Sequence, residues 1–352
     1  MNFPRQVATV ASLAVLALMA TACGTTNVPE AANEPVAAPV SESCSNDTTT
    51  TATGPVSMTD GIGRKVELAK PAERVAVLEW QQTEDVLTLC VTPVAVADPE
   101  NYAIYVSAEK LPDTVTDVGE RGEFDFDTLY ATNPDLIIVE AAGADDEIIA
   151  KLEDRGVPVL VTIGADASGQ LANMKKVFSM IAEATGRTER AAKVLEQFDQ
   201  HLAEAKQKVQ GVELSTTDFL FFDGWIEGGN VVIRPYGKGA LFTELGEQLG
   251  LTSAWTDDIN SAYGSGGVDP AYGLAQTDIE GLTAVGGANL FYSDDDTPDS
   301  YVAELGKSTI WTSLPAVKEG RAYAFPPGVW GAGGPKSNEQ AIDAYVDILT
   351  KG

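Results

Sequence analysis

The chain has a single histidine, His201, among 352 residues. That scarcity excludes histidine-built zinc or manganese centres and most reactions that rely on an imidazole base. Basic residues are also few: 23 lysines and arginines stand against 52 acids, for a formal charge of −29. A surface of that sign repels phosphate backbones, so nucleic acid is not an expected partner. There are three cysteines, Cys23, Cys44 and Cys90, and the most apolar stretch, residues 7–20, is shorter than the roughly 20 residues a spanning helix needs. What is present is ordinary for a folded protein of about two domains: 44% hydrophobic, 21% charged and 7% aromatic residues.

Arg5 is the only charged side chain before Glu30, and the apolar stretch ends in Ala20-Thr21-Ala22-Cys23-Gly24. A positive start, a short apolar run and small residues form a cleaved secretory signal, here residues 1–22. Small residues leading into a cysteine resemble a bacterial lipoprotein signal, with Cys23 acylated and the first residue of the mature chain. Ala20 stands where such signals usually carry leucine; the alternative is an ordinary cleaved signal with an incidental cysteine. Acyl chains at about 0.8 kcal/mol per buried methylene would anchor the chain to the extracytoplasmic face of the cell membrane. Cys44 and Cys90 are then an even pair in an oxidising compartment. They are expected to form a disulfide rather than two buried thiols, worth about 4 kcal/mol on the chain-entropy view.

Residues 23–55 are rich in Ala, Pro, Thr and Ser without apolar periodicity, which predicts a disordered tether. Then short β-rich runs at 74–78, 136–139 and 157–163 alternate with helical stretches at 83–89, 126–131 and 145–152. This predicts a first lobe over residues 56–169. Residues 170–210 read as connecting helices. Ala191, Leu195, Phe198, Leu202, Ala205 and Val209 mark one face of the longer one, with Thr188 as its N-cap and Gly211 at its end. His201 lies beside that stripe and reads as a half-exposed surface residue. The alternation resumes over residues 211–352, with strands at 218–222, 231–233, 289–293 and 321–325. The fold class is therefore α/β: two parallel-rich lobes joined by a single long helix, with a ligand cleft between the lobes.

No catalytic pattern stands out. The stretch from Gly331 to Ser337 resembles a phosphate loop, but Pro335 occupies the position of the glycine that should precede the lysine. Ser265 has no Gly-x-Ser-x-Gly frame, and its only candidate base is His201. Asp294-Asp295-Asp296 lacks the glycine and distal glutamate of a calcium loop. Neither catalysis nor a resident cofactor is expected.

The order of motifs resembles the class III, or cluster A, substrate-binding lipoproteins of ABC importers, in their ferric-siderophore-binding branch. The likeness covers residues 57–352. It opens at Met58-Thr59-Asp60-Gly61-Ile62-Gly63-Arg64-Lys65-Val66, similar to a "TDxxGRxV" hairpin. It continues from Val118-Gly119-Glu120-Arg121 to Asp127 and through Asn133-Pro134-Asp135, similar to "VGxRxEPNLExLxxLKPDLI", and closes at residues 237–239, 311–323 and 330–335. The resemblance implies two lobes bridged by a long helix, stiff enough to close only modestly. It implies a lipid-anchored receptor, expected to be monomeric, that hands a ferric siderophore to an ABC permease dimer with a cytoplasmic ATPase. Permease docking is implied for Glu280 in the second lobe and Asp127 in the first. The usual first-lobe residue is glutamate, one methylene longer, which brings Glu123 and Asp125 into consideration.

A siderophore coordinates iron with its own oxygens, so no protein metal ligand is required. The protein needs cationic donors for those oxygens and aromatic faces for the rim of the complex. Arg234, with Tyr236 beside it, and Arg121 are the candidate donors. Trp80 and Gln81 follow the first core strand, where α/β folds place ligands; Tyr102, Tyr105, Trp225 and Trp330 complete the aromatic set. The alternatives are haem or cobalamin in the same fold, or a non-transport envelope or regulatory lipoprotein whose cleft aromatics are buried or packed against one another.

Overall fold

The computed structural model describes Ser41, residues 44–294, Thr297 and residues 300–351. Cys23 and the expected signal peptide lie outside the described residues. Among the described residues, no helix is long and apolar enough to cross a membrane.

The opening strands Val56–Thr59 and Lys65–Leu68 pair antiparallel, with Val56 opposite Leu68. Their alternation sends Val56, Met58, Val66 and Leu68 into the first-lobe core. Asp60 holds the turn by accepting the N–H groups of Ile62 and Arg64 and pairing with the Arg64 guanidinium at 2.9 Å.

The first lobe is built on five parallel strands in the order Thr116–Asp117, Ala95–Val96, Val75–Val77, Leu136–Glu140, Val159–Thr162. Helices cover both faces, which is why the strands, apart from the short edge strand Thr116–Asp117, are buried on both sides rather than alternating. Val75, Val77, Ile138 and Leu160 pack with Phe178 and Ile181; Ala76, Ile137, Val139 and Val161 pack with Leu129, Ile149 and Leu152.

In the second lobe Asp218–Glu227 is the central strand, parallel to Asn289–Tyr292 and Thr252–Ser253 and antiparallel to Asn230–Pro235. Ala322–Ala324 and Thr277–Asp278 complete the sheet. The α/β character is as expected, but the sheet is mixed. Its central strand runs past Phe222 and doubles back through Gly228 and Gly229, at φ +57° and +83°, the positive pair that a tight hairpin turn demands.

Two helices, Gln170–Ala184 and Thr188–Gln210, run between the cores. The longer buries Ala191 and Val194 in the first-lobe core, and Phe198, Ala205 and Val209 in the second. The shorter places Leu171 and Met174 with the second-lobe core, and Val177, Phe178 and Ile181 with the first. Thr188 is the first helical residue rather than the cap. Arg187 takes the cap position and directs its guanidinium to the Leu89 carbonyl at 2.9 Å, the Thr51 hydroxyl at 2.8 Å and the Asp47 carboxylate.

Those contacts correct the far end of the expected tether, because residues 44–51 are fastened to the first lobe. Cys44 is bonded to Cys90 with the Cα atoms 5.5 Å apart, and the Thr50 N–H donates to Glu189 at 3.0 Å. A disulfide and polar bonds do this holding, so no apolar period in the sequence announces it.

Candidate functional site

A cavity of about 780 Å³ opens between the lobes. Its first-lobe wall comes from strand ends, as in other α/β sheets. Glu79 and Trp80 follow Val75–Val77, Glu140 closes Leu136–Glu140, and Gly164 follows Val159–Thr162. The second-lobe wall comes from the hairpin, which supplies Asp223, Trp225, Arg234 and Tyr236, and from the loop carrying Trp330. A Cβ at Gly331 would stand 2.9 Å from the Tyr236 hydroxyl, so glycine lets that loop lie against the hairpin.

Trp80, Tyr105 and Trp330 form one aromatic group: ring centroids are 5.7 Å apart for Trp80–Tyr105, stacked, and 5.1 Å for Trp80–Trp330, edge to face. The Arg121 guanidinium sits 4.3 Å from the Trp80 ring and 5.8 Å from that of Trp330, and Nε donates to Glu79 at 3.0 Å. On the opposite wall Arg234 donates to both carboxylate oxygens of Asp223, 2.7 Å from Nε, and lies 5.9 Å from the Trp225 ring. Tyr236 donates to the same carboxylate at 3.2 Å. Burial disfavours the Arg234 charge, but the hydrogen bond and charge of Asp223 outweigh it and hold the guanidinium pKa above its usual value. Burial, then the neighbouring Glu79, raises the pKa of Glu140 despite a 2.8 Å bond from the Tyr272 hydroxyl.

Hydrogen bonds tie the lobes together at several points, the pairing of the Ser107 hydroxyl with the Gln340 side-chain amide among them. Tyr272 reaches Glu140, and the Ser107 N–H donates to the Gly328 carbonyl at 2.9 Å. A further tie is Glu84, fully buried in the first-lobe helix Trp80–Thr88. It accepts the N–H groups of Gly334, Lys336 and Ser337 at 3.1, 3.0 and 2.9 Å, and so caps the C-terminal helix Pro335–Lys351. Burial drives Glu84 up to about 7.

Among the sequence-derived candidates, Arg121, Arg234, Tyr236, Trp80, Gln81, Tyr105, Trp225 and Trp330 all line the cavity. Tyr102 does not. It is 1% exposed behind Trp80, with its hydroxyl donating to the Glu109 carbonyl at 2.9 Å, because it sits on the inner face of the short helix Pro99–Tyr105. His201 lies away from the cavity, its Nε2 3.0 Å from the Asp343 carboxylate. Sequence reasoning missed Glu79, Glu140, Asp223 and Tyr272. The acids stand at strand ends or beside a candidate tryptophan, but in a chain with 52 acids that signal is faint.

Asp127 and Glu280, the docking candidates, are exposed at the starts of short helical segments of opposite lobes. Each sits two residues after an aspartate that accepts its backbone N–H: Asp125 for Asp127 at 3.0 Å and Asp278 for Glu280 at 2.9 Å. Asp125 is thereby used as a cap, whereas Glu123 is exposed on the preceding strand; Asp127 pairs with Arg155 at 2.6 Å.

The sequence profile of the periplasmic binding protein family matches residues 75–328. The iron(3+)-hydroxamate-binding protein FhuD of Escherichia coli K12 is 26% identical over 259 residues, 73% of this chain and 80% of FhuD. The iron-uptake system-binding protein of Bacillus subtilis 168 is 24% identical across 96% of both chains. The crystal structure of Vibrio cholerae FhuD with Fe3+–Desferal matches this one with a TM-score of 0.65 at 24% identity, covering 79% of this chain and 98% of that one, and so shares its fold.

Proposed function

Because the chain belongs to the periplasmic binding protein family, we propose that it is an extracytoplasmic receptor that takes up a ferric siderophore between its lobes and delivers it to an ABC permease. The observation that carries this reading is the cavity itself: about 780 Å³, walled by indole and phenol faces, with one arginine on each side. A preformed pocket of that size suits a compact metal complex, and iron already wrapped in its chelator asks nothing of protein metal ligands. Names given to relatives, iron(3+)-hydroxamate binding and iron uptake, point the same way. Trp80, Tyr105 and Trp330 do pack on one another, as a scaffold protein would have them. They also face an open cavity, and Tyr105 remains 43% exposed, which favours a ligand.

Cys23 would carry the lipid anchor. Asp127, with Glu123 beside it, and Glu280 would enter basic pockets on the two permease subunits, one acid from each lobe. The test is uptake of radiolabelled ferric siderophore in the native cells with the chain present, deleted or substituted. Cys23→Ser should release the receptor from the membrane and lower uptake. Glu280→Arg should abolish uptake while leaving cleft binding intact. Wild-type uptake in cells lacking the chain would contradict the proposal.

A further inference from the structure

Five carboxylates line the cavity, those of Glu79, Glu140, Asp223, Asp269 and Asp294. Against them stand two guanidiniums, Arg121 and Arg234; among the described residues neither lysine nor histidine lines it. The formal charge of the wall is therefore −3 with every acid ionised, and −2 with Glu140 protonated.

Both guanidiniums are already engaged. Arg234 binds Asp223 through two points, and Tyr236 donates to the same carboxylate, whose side chain is only 15% exposed. Arg121 is held by Glu79, likewise 15% exposed, and lies on the Trp80 face. Pulling either arginine away to serve an anionic ligand would leave a largely buried carboxylate without its countercharge, which is far costlier than breaking a surface pair. An anionic complex that leaves the pairs intact still meets a wall of net negative charge in a site lined by aromatic rings, where charges are poorly screened. A complex of zero or positive charge meets neither penalty. The guanidinium edges not bonded to acids can still donate to its oxygens.

We propose that Asp223 and Glu79 set the charge class of the cargo: by neutralising Arg234 and Arg121 in advance, they admit ferric complexes of net charge zero or above and turn away strongly anionic ones. Three hydroxamates bring three negative charges to Fe3+ and give a neutral centre, whereas three catecholates bring six and leave −3. The cargo assigned is thus a ferric trihydroxamate, uncharged or carrying a pendant ammonium. This inference rests on the siderophore reading of the cleft and narrows it.

The test uses the full-length protein in detergent and tryptophan quenching with three iron complexes. These are a linear trihydroxamate with a free ammonium, the same compound with that amine acetylated, and a tris-catecholate of similar size. Wild type should bind both trihydroxamates at least 100-fold more tightly than the tris-catecholate. Asp223→Asn and Glu79→Gln should each shrink that preference at least tenfold, chiefly by tightening the tris-catecholate. A purely structural role for these acids would weaken all three complexes alike and leave the ratio fixed. The two substitutions sit in different lobes, so if one fails to fold by circular dichroism the other still carries the test. An unchanged ratio in the folded variants overturns the inference, as does equal wild-type affinity for the tris-catecholate. Absence of binding by all three complexes overturns the siderophore reading and this inference with it.

Discussion

Tyr102 and Trp80 are close neighbours with different tasks, and substitution separates them. Tyr102→Phe removes a buried hydroxyl whose partner is the Glu109 carbonyl. It should cost about 1 kcal/mol of stability in urea denaturation and leave ligand affinity within twofold. Trp80→Ala removes the ring that carries both Tyr105 and Arg121. It should weaken ligand binding at least tenfold by quenching of the remaining tryptophans; equal affinities for the two variants would contradict the assignment. The cavity-lining arginines were legible in the sequence because basic residues are scarce, Trp80 because it follows the first core strand, and Trp330 because it sits in a glycine-rich loop. Tyr102 was not distinguishable from Tyr105, since residues three apart share a helix face and only the surrounding packing buries one phenol and leaves the other 43% exposed. The paired acids were hidden by their abundance.

At the level of elements, strand and helix patterns gave the lobes, while the polar fastenings could be seen only in three dimensions. Three of the five parallel first-lobe strands are continuous apolar runs and were readable as such; the two-residue strands Ala95–Val96 and Thr116–Asp117 are too short to leave a pattern. The return strand Asn230–Pro235 was foreseen only in part, because the Gly228-Gly229 turn that makes it antiparallel was not weighed. The grip of Arg187 on residues 47–51 and the capping of Pro335–Lys351 by Glu84 leave no periodic trace. Glu84→Ala should therefore strip three N–H partners from the start of that helix. The expected cost is about 1–3 kcal/mol, with faster hydrogen exchange at residues 334–337 than in the helix body. Replacing Cys44 and Cys90 together by serine should cost about 2–5 kcal/mol and loosen residues 44–51, again read by exchange. Unaltered protection of that segment would mean that Arg187 and Glu189 suffice to hold it.

Over the whole molecule, charge governs how stability responds to pH. Burial raises the pKa values of Glu84, Asp85, Glu109 and Glu140, and Glu84 reaches about 7. An acid raised in the folded state contributes stability that is fully present below its unfolded value, near 4, and is lost as pH climbs through the folded value. For Glu84 the loss falls between about 4.5 and 7. The net charge of −29 adds self-repulsion in the same direction as the remaining acids ionise. The urea midpoint should thus be higher at pH 5 than at pH 8, by the equivalent of about 2 kcal/mol or more, and Glu84→Gln should flatten the slope. A midpoint that rises from pH 5 to pH 8 would show these carboxylates to be better solvated than their burial indicates.

The most direct measurement is a tryptophan-fluorescence titration of the intact protein with ferric hydroxamate, catecholate, citrate and carboxylate siderophores, and with haem and cobalamin, in wild type and Arg234→Ala. Saturable, submicromolar quenching by one ferric class, weakened at least tenfold in the variant, is the expected result. No saturable quenching by any ferric complex, or equal affinity with and without Arg234, would contradict the assignment of the cleft as a siderophore site.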